Sequence, residues 1–221
     1  MVELAPSILS CNFASLQDDI EKTKGTELKN LHIDVMDGLF VPNISFGFKV
    51  ISDIRDKNDY IFDTHAMIEE PIRYIDDFKK AGVDRLTIHY EACKDVDKTI
   101  AEIKSKGMEV GLSFKPATDI NIIVPYLNKI DLVLVMSVEP GFGGQSFMKD
   151  SLAKIKYLRD YINKNKLACI IEVDGGIKTT NVGEVIDAGA DLIVAGSDVF
   201  GKDIKSQINK YYEIFKEKSL S

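Results

Sequence analysis

Eight short apolar, β-branched runs alternate along the 221-residue chain with longer amphipathic, charge-rich stretches, and this alternation constrains the fold more than any other feature. The runs are Leu4–Leu9, Leu31–Val35, Tyr60–His65, Arg85–His89, Glu109–Phe114, Leu132–Ser137, Ile170–Val173 and Leu192–Ala195. Helical periodicity after each run predicts helices near 14–24, 47–56, 70–81, 96–106, 119–128, 148–164, 180–188 and 203–217. Runs that are apolar on both faces suit parallel strands covered on both sides. Three helix exits repeat one pattern: Lys80-Ala81-Gly82-Val83-Asp84, Ser105-Lys106-Gly107-Met108-Glu109 and Asp187-Ala188-Gly189-Ala190-Asp191. Each puts Gly where a left-handed cap must turn the chain into the next strand. No linker-like composition divides the units, so residues 1–221 are expected to form a single domain, an α/β chain folded as one (β/α)8 TIM barrel. An open dinucleotide-binding sheet lacks its signature here, because no Gly-x-Gly-x-x-Gly follows the first run.

Charge narrows the partners. The chain has 28 Lys and Arg against 35 Asp and Glu, a net charge of −7, and no basic run. Nucleic acid is therefore not an expected partner, since phosphate-backbone binding needs a concentrated basic face. A small anion is still admissible, because a few backbone N–H groups can hold one phosphate inside an acidic protein. Cys11, Cys93 and Cys169 are odd in number and form no CxxC pair, which speaks against a disulfide framework or a thiolate zinc site and for a reducing compartment. No segment approaches a membrane span or a secretory leader, so a cytoplasmic protein with no membrane partner is expected.

Polar residues crowd the C-terminal ends of the strand candidates, where a parallel barrel carries its chemistry. In His32-Ile33-Asp34-Val35-Met36, period-2 alternation sends His32, Asp34 and Met36 to one face. Asp63-Thr64-His65-Ala66-Met67 repeats the arrangement, and Glu172-Val173-Asp174-Gly175-Gly176 closes the seventh run. All three histidines, His32, His65 and His89, fall at strand ends. His32, Asp34, His65 and Asp174 together form a set able to bind a divalent ion such as Zn2+, Fe2+, Mn2+ or Co2+. For His89 the reading is open between a partner of that set and a structural strand-end residue.

Glycine supplies a second constellation: Gly141, Phe142, Gly143 and Gly144 after the sixth run, Gly175 and Gly176 after the seventh, and Gly196 with Ser197 after the eighth. Bare Cα atoms let backbone N–H groups approach and cradle a phosphate, and barrels often bind phosphate at these loops. Met36, Met67 and Met136, near the ends of the second, third and sixth runs, are either adaptable core filling or a polarizable lid over the site.

The strings APSILS at Ala5–Ser10, HIDVMDGLFVPN at His32–Asn43, DTHAM at Asp63–Met67, VEPGFGGQSF at Val138–Phe147, VDGGI at Val173–Ile177 and AGADLIVAGSDVF at Ala188–Phe200 resemble the ribulose-phosphate 3-epimerase family from end to end. The resemblance implies a barrel of the ribulose-phosphate-binding type that interconverts D-ribulose 5-phosphate and D-xylulose 5-phosphate in the non-oxidative pentose phosphate pathway. It implies one divalent ion per subunit and a homo-oligomer, a dimer or larger. By position, His32, Asp34, His65 and Asp174 match the family's metal ligands, and Asp34 and Asp174 its acid/base pair. Ser7, His65, Gly141–Gly144, Asp174, Gly175, Gly176, Gly196 and Ser197 match positions that contact the sugar phosphate, and the three methionines match its hydrophobic cap. Cys11, Phe48 and Ala66 depart from the family's usual residues, and none is a proposed ligand. An epimerase for another ketose phosphate, such as D-allulose 6-phosphate, would carry the same residues. A related barrel decarboxylase has Asp-x-Lys-x-x-Asp on a strand, where Met36 replaces the Lys. A catalytically silent scaffold is the reading from another class, against which the intact set of carboxylates and histidines argues.

Overall fold

The computed structural model of the chain describes residues 2–220. The eight apolar runs become β1 (Glu3–Pro6), β2 (Asn30–Met36), β3 (Ile61–Met67), β4 (Arg85–His89), β5 (Glu109–Phe114), β6 (Leu132–Met136), β7 (Ile170–Asp174) and β8 (Leu192–Ala195). All pair in parallel in the order β1-β8-β7-β6-β5-β4-β3-β2. Between β1 and β2 the ring closes on a single parallel bridge, Ser7 to His32, rather than on a ladder. The result is a single (β/α)8 TIM barrel, as the alternation predicts.

Helices α1 (Leu16–Glu21), α2 (Phe48–Arg55), α3 (Ile75–Lys80), α4 (Val96–Ser105), α5 (Ser151–Asn165), α6 (Val182–Ala188), α7 (Ser197–Phe200) and α8 (Ile204–Ser219) surround the sheet. Local chemistry fixes several ends. Asp95 and Asp203 accept from the backbone N–H of Lys98 and Ser206 and so cap α4 and α8. Gly82, Gly107 and Gly189 adopt φ of +89°, +71° and +115°, the left-handed turns expected at the repeated helix exits.

One expected helix does not form. Residues 119–128 make two short 3-10 turns, Ile120–Ile122 and Val124–Tyr126, instead of a continuous helix. Pro125 has no N–H to donate and its ring would meet the carbonyl one turn back, so the chain tightens into separate turns around it. The predicted segment 70–81 likewise splits, into a 3-10 turn at Pro71–Tyr74 followed by α3.

Strand parity divides the barrel into two cores. Leu31, Ile33 and Val35 of β2, with Phe62 and Ala66 of β3 and Leu86 and Ile88 of β4, point outward into the main core beneath the helices. Inside the ring, Ala5, Leu132, Leu134, Met136, Leu192 and Val194 pack together along β1, β6 and β8. The rest of the interior is polar: His32, Asp34, Asp63, His65, Arg85, Thr87, His89 and Glu172 are all buried. Gly111 makes room for this half, because a Cβ there would lie 2.0 Å from Thr87 Oγ1.

A buried polar hub ties the β8 end to the outer layer. Asp198 in α7 accepts from the Thr179 N–H at 3.1 Å, Gln207 Nε2 at 2.8 Å and Tyr211 Oη at 2.9 Å, and pairs with Lys202. Burial opposes its charge, yet these donors outweigh that cost and hold the carboxyl below its ordinary 3.8. Tyr211→Phe removes one donor to a buried charge without opening a cavity and should cost about 1.5–3 kcal/mol in urea denaturation. A carboxyl lowered by folding stabilises above its unfolded value and loses that contribution as pH falls. Asp198→Asn should therefore flatten the loss of stability below about pH 4, and an unchanged acid limb would remove Asp198 from the account.

Candidate active site

The strand-end residues singled out above gather on one rim of the barrel, except His32, which is the third of seven residues in β2 and sits a layer below it. Ser7 follows β1, Asp34 and Met36 end β2, His65 and Met67 end β3, His89 ends β4, Met136 ends β6, Asp174 ends β7 and Gly196 follows β8. A pocket at this rim is lined by Ser7, Asp34, Met36, Met67, Met136, Gly141, Phe142, Gly143, Gly144, Asp174, Gly175, Gly176, Gly196 and Ser197. His32 and His65 do not reach its wall; both have no exposed surface and lie behind the carboxylates.

Asp34 is the junction of the site. Ser7 Oγ donates to its Oδ2 at 2.5 Å, His65 Nδ1 lies 3.3 Å from its Oδ1 and His32 Nε2 lies 3.5 Å from the same oxygen. Asp174 Oδ2 is 3.9 Å from His65 Nδ1. One ligand atom from each of His32, Asp34, His65 and Asp174 can be chosen so that all lie within 4.8 Å of one another. This set fits a divalent ion: two imidazole nitrogens and two carboxylate oxygens, no thiolate, and a buried His32 Nε2 with no hydrogen-bond partner.

The other nitrogen of His32 is already engaged. Its Nδ1 lies 2.8 Å from Asp63 Oδ2 and 3.3 Å from Glu172 Oε1, so a proton on Nδ1 is held there and Nε2 is left facing Asp34. Arg85 Nη1 stands 3.6 Å from the second oxygen of Asp63. Burial works against a charge on His32, but Asp34, Asp63 and Glu172 together hold its proton well above the usual range. Burial opposes ionisation of Asp34 as well, and the two imidazoles overcome it, keeping Asp34 below the usual carboxylate range. For Asp174, burial and then the charge of Asp34 push the carboxyl up to about 6. The two mouth carboxylates are thus pushed in opposite directions, Asp34 toward the stronger acid and Asp174 toward the weaker.

Asp63 and Glu172 were not assigned a role from sequence, although the signal was present. Each sits two residues before a chosen ligand, His65 and Asp174, and the same parity that faces those ligands inward carries Asp63 and Glu172 inward one layer deeper. His89, left open above, is buried with its Nε2 2.8 Å from His65 Nε2, and burial pushes its pKa down to about 4. Met36 and Met67 pack with Val41, while Met136 belongs to the interior apolar core; all three border the pocket.

The loops differ in how tightly they are built. Gly175 and Gly176 have φ of +124° and +63°, and a Cβ on Gly176 would stand 2.5 Å from the backbone N of Phe147. At Gly196 a Cβ would lie 2.5 Å from Ser10 Oγ. At Gly143 it would meet nothing within 4 Å. Asn43 Nδ2 donates to the Gly141 carbonyl at 2.8 Å, tying the loop after β2 to the loop after β6 across the mouth.

A barrel whose strand-end rim gathers imidazoles, carboxylates and glycine loops around one pocket is built as an enzyme. The model of the ribulose-phosphate 3-epimerase family matches residues 3–200. Ribulose-phosphate 3-epimerase of Bacillus subtilis is 45% identical over 95% of this chain and 98% of its own, and that of Escherichia coli K12 is 41% identical over 94% and 93%. The solved 3-keto-L-gulonate-6-phosphate decarboxylase of Vibrio cholerae superposes with a TM-score of 0.72 at 14% identity, covering 98% of each chain, a likeness of fold alone. The chain belongs to the ribulose-phosphate 3-epimerase family and is an epimerase, an enzyme of the isomerase class. Among the described residues no helix is long and apolar enough to cross a membrane.

Because Gly176 combines positive φ with a backbone clash, Gly176→Ala should lower stability by more than about 1 kcal/mol. Gly143→Ala should stay within about 0.5 kcal/mol of the parent in the same urea titration. Equal losses would contradict the difference in packing.

Proposed function

We propose that this chain interconverts D-ribulose 5-phosphate and D-xylulose 5-phosphate, in the non-oxidative pentose phosphate pathway, by moving a proton at C3. The observation that carries the reading is the pair Asp34 and Asp174, which meet at the pocket from β2 and β7 with their acidities pushed in opposite directions.

C3 lies next to the C2 carbonyl, so its proton can leave as the electron pair passes into a 2,3-enediolate. Inverting C3 requires a base on one face and an acid on the other. The ionised carboxylate takes the C3 proton while the protonated one returns a proton to the opposite face, and the roles swap in the reverse direction. Ser7, by donating to Asp34 Oδ2, fixes that carboxylate so that Oδ1 is the oxygen presented beside the imidazoles. The residues that would hold a single divalent ion, Zn2+, Fe2+, Mn2+ or Co2+, are His32, Asp34, His65 and Asp174. Bound there, such an ion supplies positive charge that stabilises negative charge developing on the sugar oxygens.

Backbone N–H groups of Gly176, Gly196 and Ser197 anchor the phosphate in this reading, with the loop Gly141–Gly144 and Phe142 closing over the sugar. Their support is the close backbone packing at Gly176 and Gly196 on the pocket wall. Met36, Met67 and Met136 supply a dry, polarizable wall beside the carboxylates.

Incubation of D-ribulose 5-phosphate with the enzyme in D2O, followed by NMR, should show deuterium entering C3 as D-xylulose 5-phosphate forms. Chelation should stop both, and restoring a divalent ion should bring them back. Asp34→Asn and Asp174→Asn should each reduce turnover by at least about 1,000-fold with the fold intact by circular dichroism. Near-normal turnover in either variant would sink the two-carboxylate scheme. Exchange on D-allulose 6-phosphate alone would keep the chemistry and change the substrate.

A further inference from the structure

His89 and Glu91 have no part in the scheme above, yet they extend its line of polar side chains away from the pocket. His65 Nδ1 faces Asp34 and Asp174, and its Nε2 lies 2.8 Å from His89 Nε2. His89 is fully buried, and its Nδ1, which has no hydrogen-bond partner within normal geometry, lies 3.5 Å from Glu91 Oε2, the nearest carboxylate oxygen to it. Glu91 is itself pinned: its Oε1 accepts from the Lys115 backbone N–H at 2.8 Å and from Thr118 Oγ1. Phe40 covers His89 with ring centroids 4.8 Å apart, and Lys115 Nζ stands 4.4 Å from the Phe40 ring.

Asp34 Oδ1, 3.3 Å from His65 Nδ1, competes for a proton on that nitrogen, but once Nδ1 is given over to a divalent ion the contacts leave one arrangement of protons. A carboxylate only accepts, so Glu91 Oε2 calls for a proton on His89 Nδ1. A neutral His89 then has a bare Nε2, which must accept from His65 Nε2–H. A neutral His65 with its proton on Nε2 is left with a bare Nδ1, aimed at Asp34 and Asp174. We propose that Glu91 is a positioning residue which, through His89, sets the tautomer of His65 so that its Nδ1 is free to take a divalent ion. The assignment rests on the metal reading of His32, Asp34, His65 and Asp174 given above. It also makes the two imidazoles equivalent in design: Asp63 holds the far proton of His32 directly, and Glu91 holds that of His65 at one remove.

The isosteric change Glu91→Gln tests this sharply. The Lys115 N–H can only donate, so the amide oxygen stays at the Oε1 position and the NH2 group is turned toward His89 Nδ1. That group donates where the carboxylate accepted. His89 must then carry its proton on Nε2, and His65 must move its own to Nδ1, the atom meant for the ion.

With only three histidines in the chain, 15N-histidine labelling allows each ring to be followed by long-range 1H–15N NMR. In the zinc-loaded parent, His65 should carry its proton on Nε2 and His89 on Nδ1. Glu91→Gln should weaken zinc binding about 10–100-fold in competition with a chelator and reverse the His89 tautomer. The melting temperature of the metal-free variant should stay close to the parent's. Thr118→Val, which removes only the hydroxyl at Glu91, should bind zinc as the parent does. A parent His89 protonated on Nε2, or zinc affinity unchanged in Glu91→Gln, overturns the proposal while leaving the metal site standing. An equal loss in Thr118→Val assigns the effect to loop structure and also overturns it. A parent that binds no zinc overturns the metal reading and this proposal with it.

Discussion

Buried negative charge sets the terms for the rest of this barrel. Asp34, Asp63 and Glu172 converge on His32 inside a ring of strands, with the Arg85 guanidinium beside Asp63. Removing carboxylates from water is costly unless each finds a cation or a donor, so the interior must be organised around them. The arrangement on β2, β3, β4 and β7 answers that demand. The complementary half, along β1, β6 and β8, is filled by Ala5, Leu132, Leu134, Leu192 and Val194, which ask for no partner. A barrel with an evenly apolar interior would be simpler to stabilise, but it would have nowhere to set two carboxylates of opposed acidity side by side.

The electrostatics of the site follow from the same crowding. His32 retains its proton because three carboxylates outweigh the cost of burial, and Asp174 rises because burial and the charge of Asp34 act together. In both cases the cause is carboxylate charge crowded where the four candidate ligand atoms converge. The loops after β6, β7 and β8 have a different character, relying on backbone geometry at Gly175, Gly176 and Gly196 instead of side-chain charge. One end of the pocket is thus defined by side chains and the other by main chain.

The barrel was legible because its signals are local and repeated. Each strand carries a short apolar, β-branched stretch, and Gly82, Gly107 and Gly189 mark three helix exits in the same way. The failure at 119–128 is also local: Pro125 lies inside a stretch whose apolar spacing suits a helix, and its missing N–H decides the matter. The rim residues could be found because parity places His32 with Asp34 and because barrel chemistry gathers at strand ends. Asp63 and Glu172 obey the same parity, but the eye stops at the end of a strand and the partners lie one layer down. Glu91 offered no such signal. It sits in a 3-10 turn beyond β4, where no periodicity relates it to His65, and only the folded distance through His89 brings the two into one chain.

The bridge between Ser7 and His32 joins the ends of the sheet, and Ser7 also donates to Asp34. Elsewhere around the ring, neighbouring strands are laced by ladders of two to seven residue pairs, so the cylinder is thinnest at this bridge, and the bridge lies beside Asp34. Any parting of β1 from β2 must draw the serine from the carboxylate at the same moment. The integrity of the cylinder and the aim of Asp34 are a single mechanical variable, and a ligand that grips both sides of the mouth acts as a clasp on the whole ring.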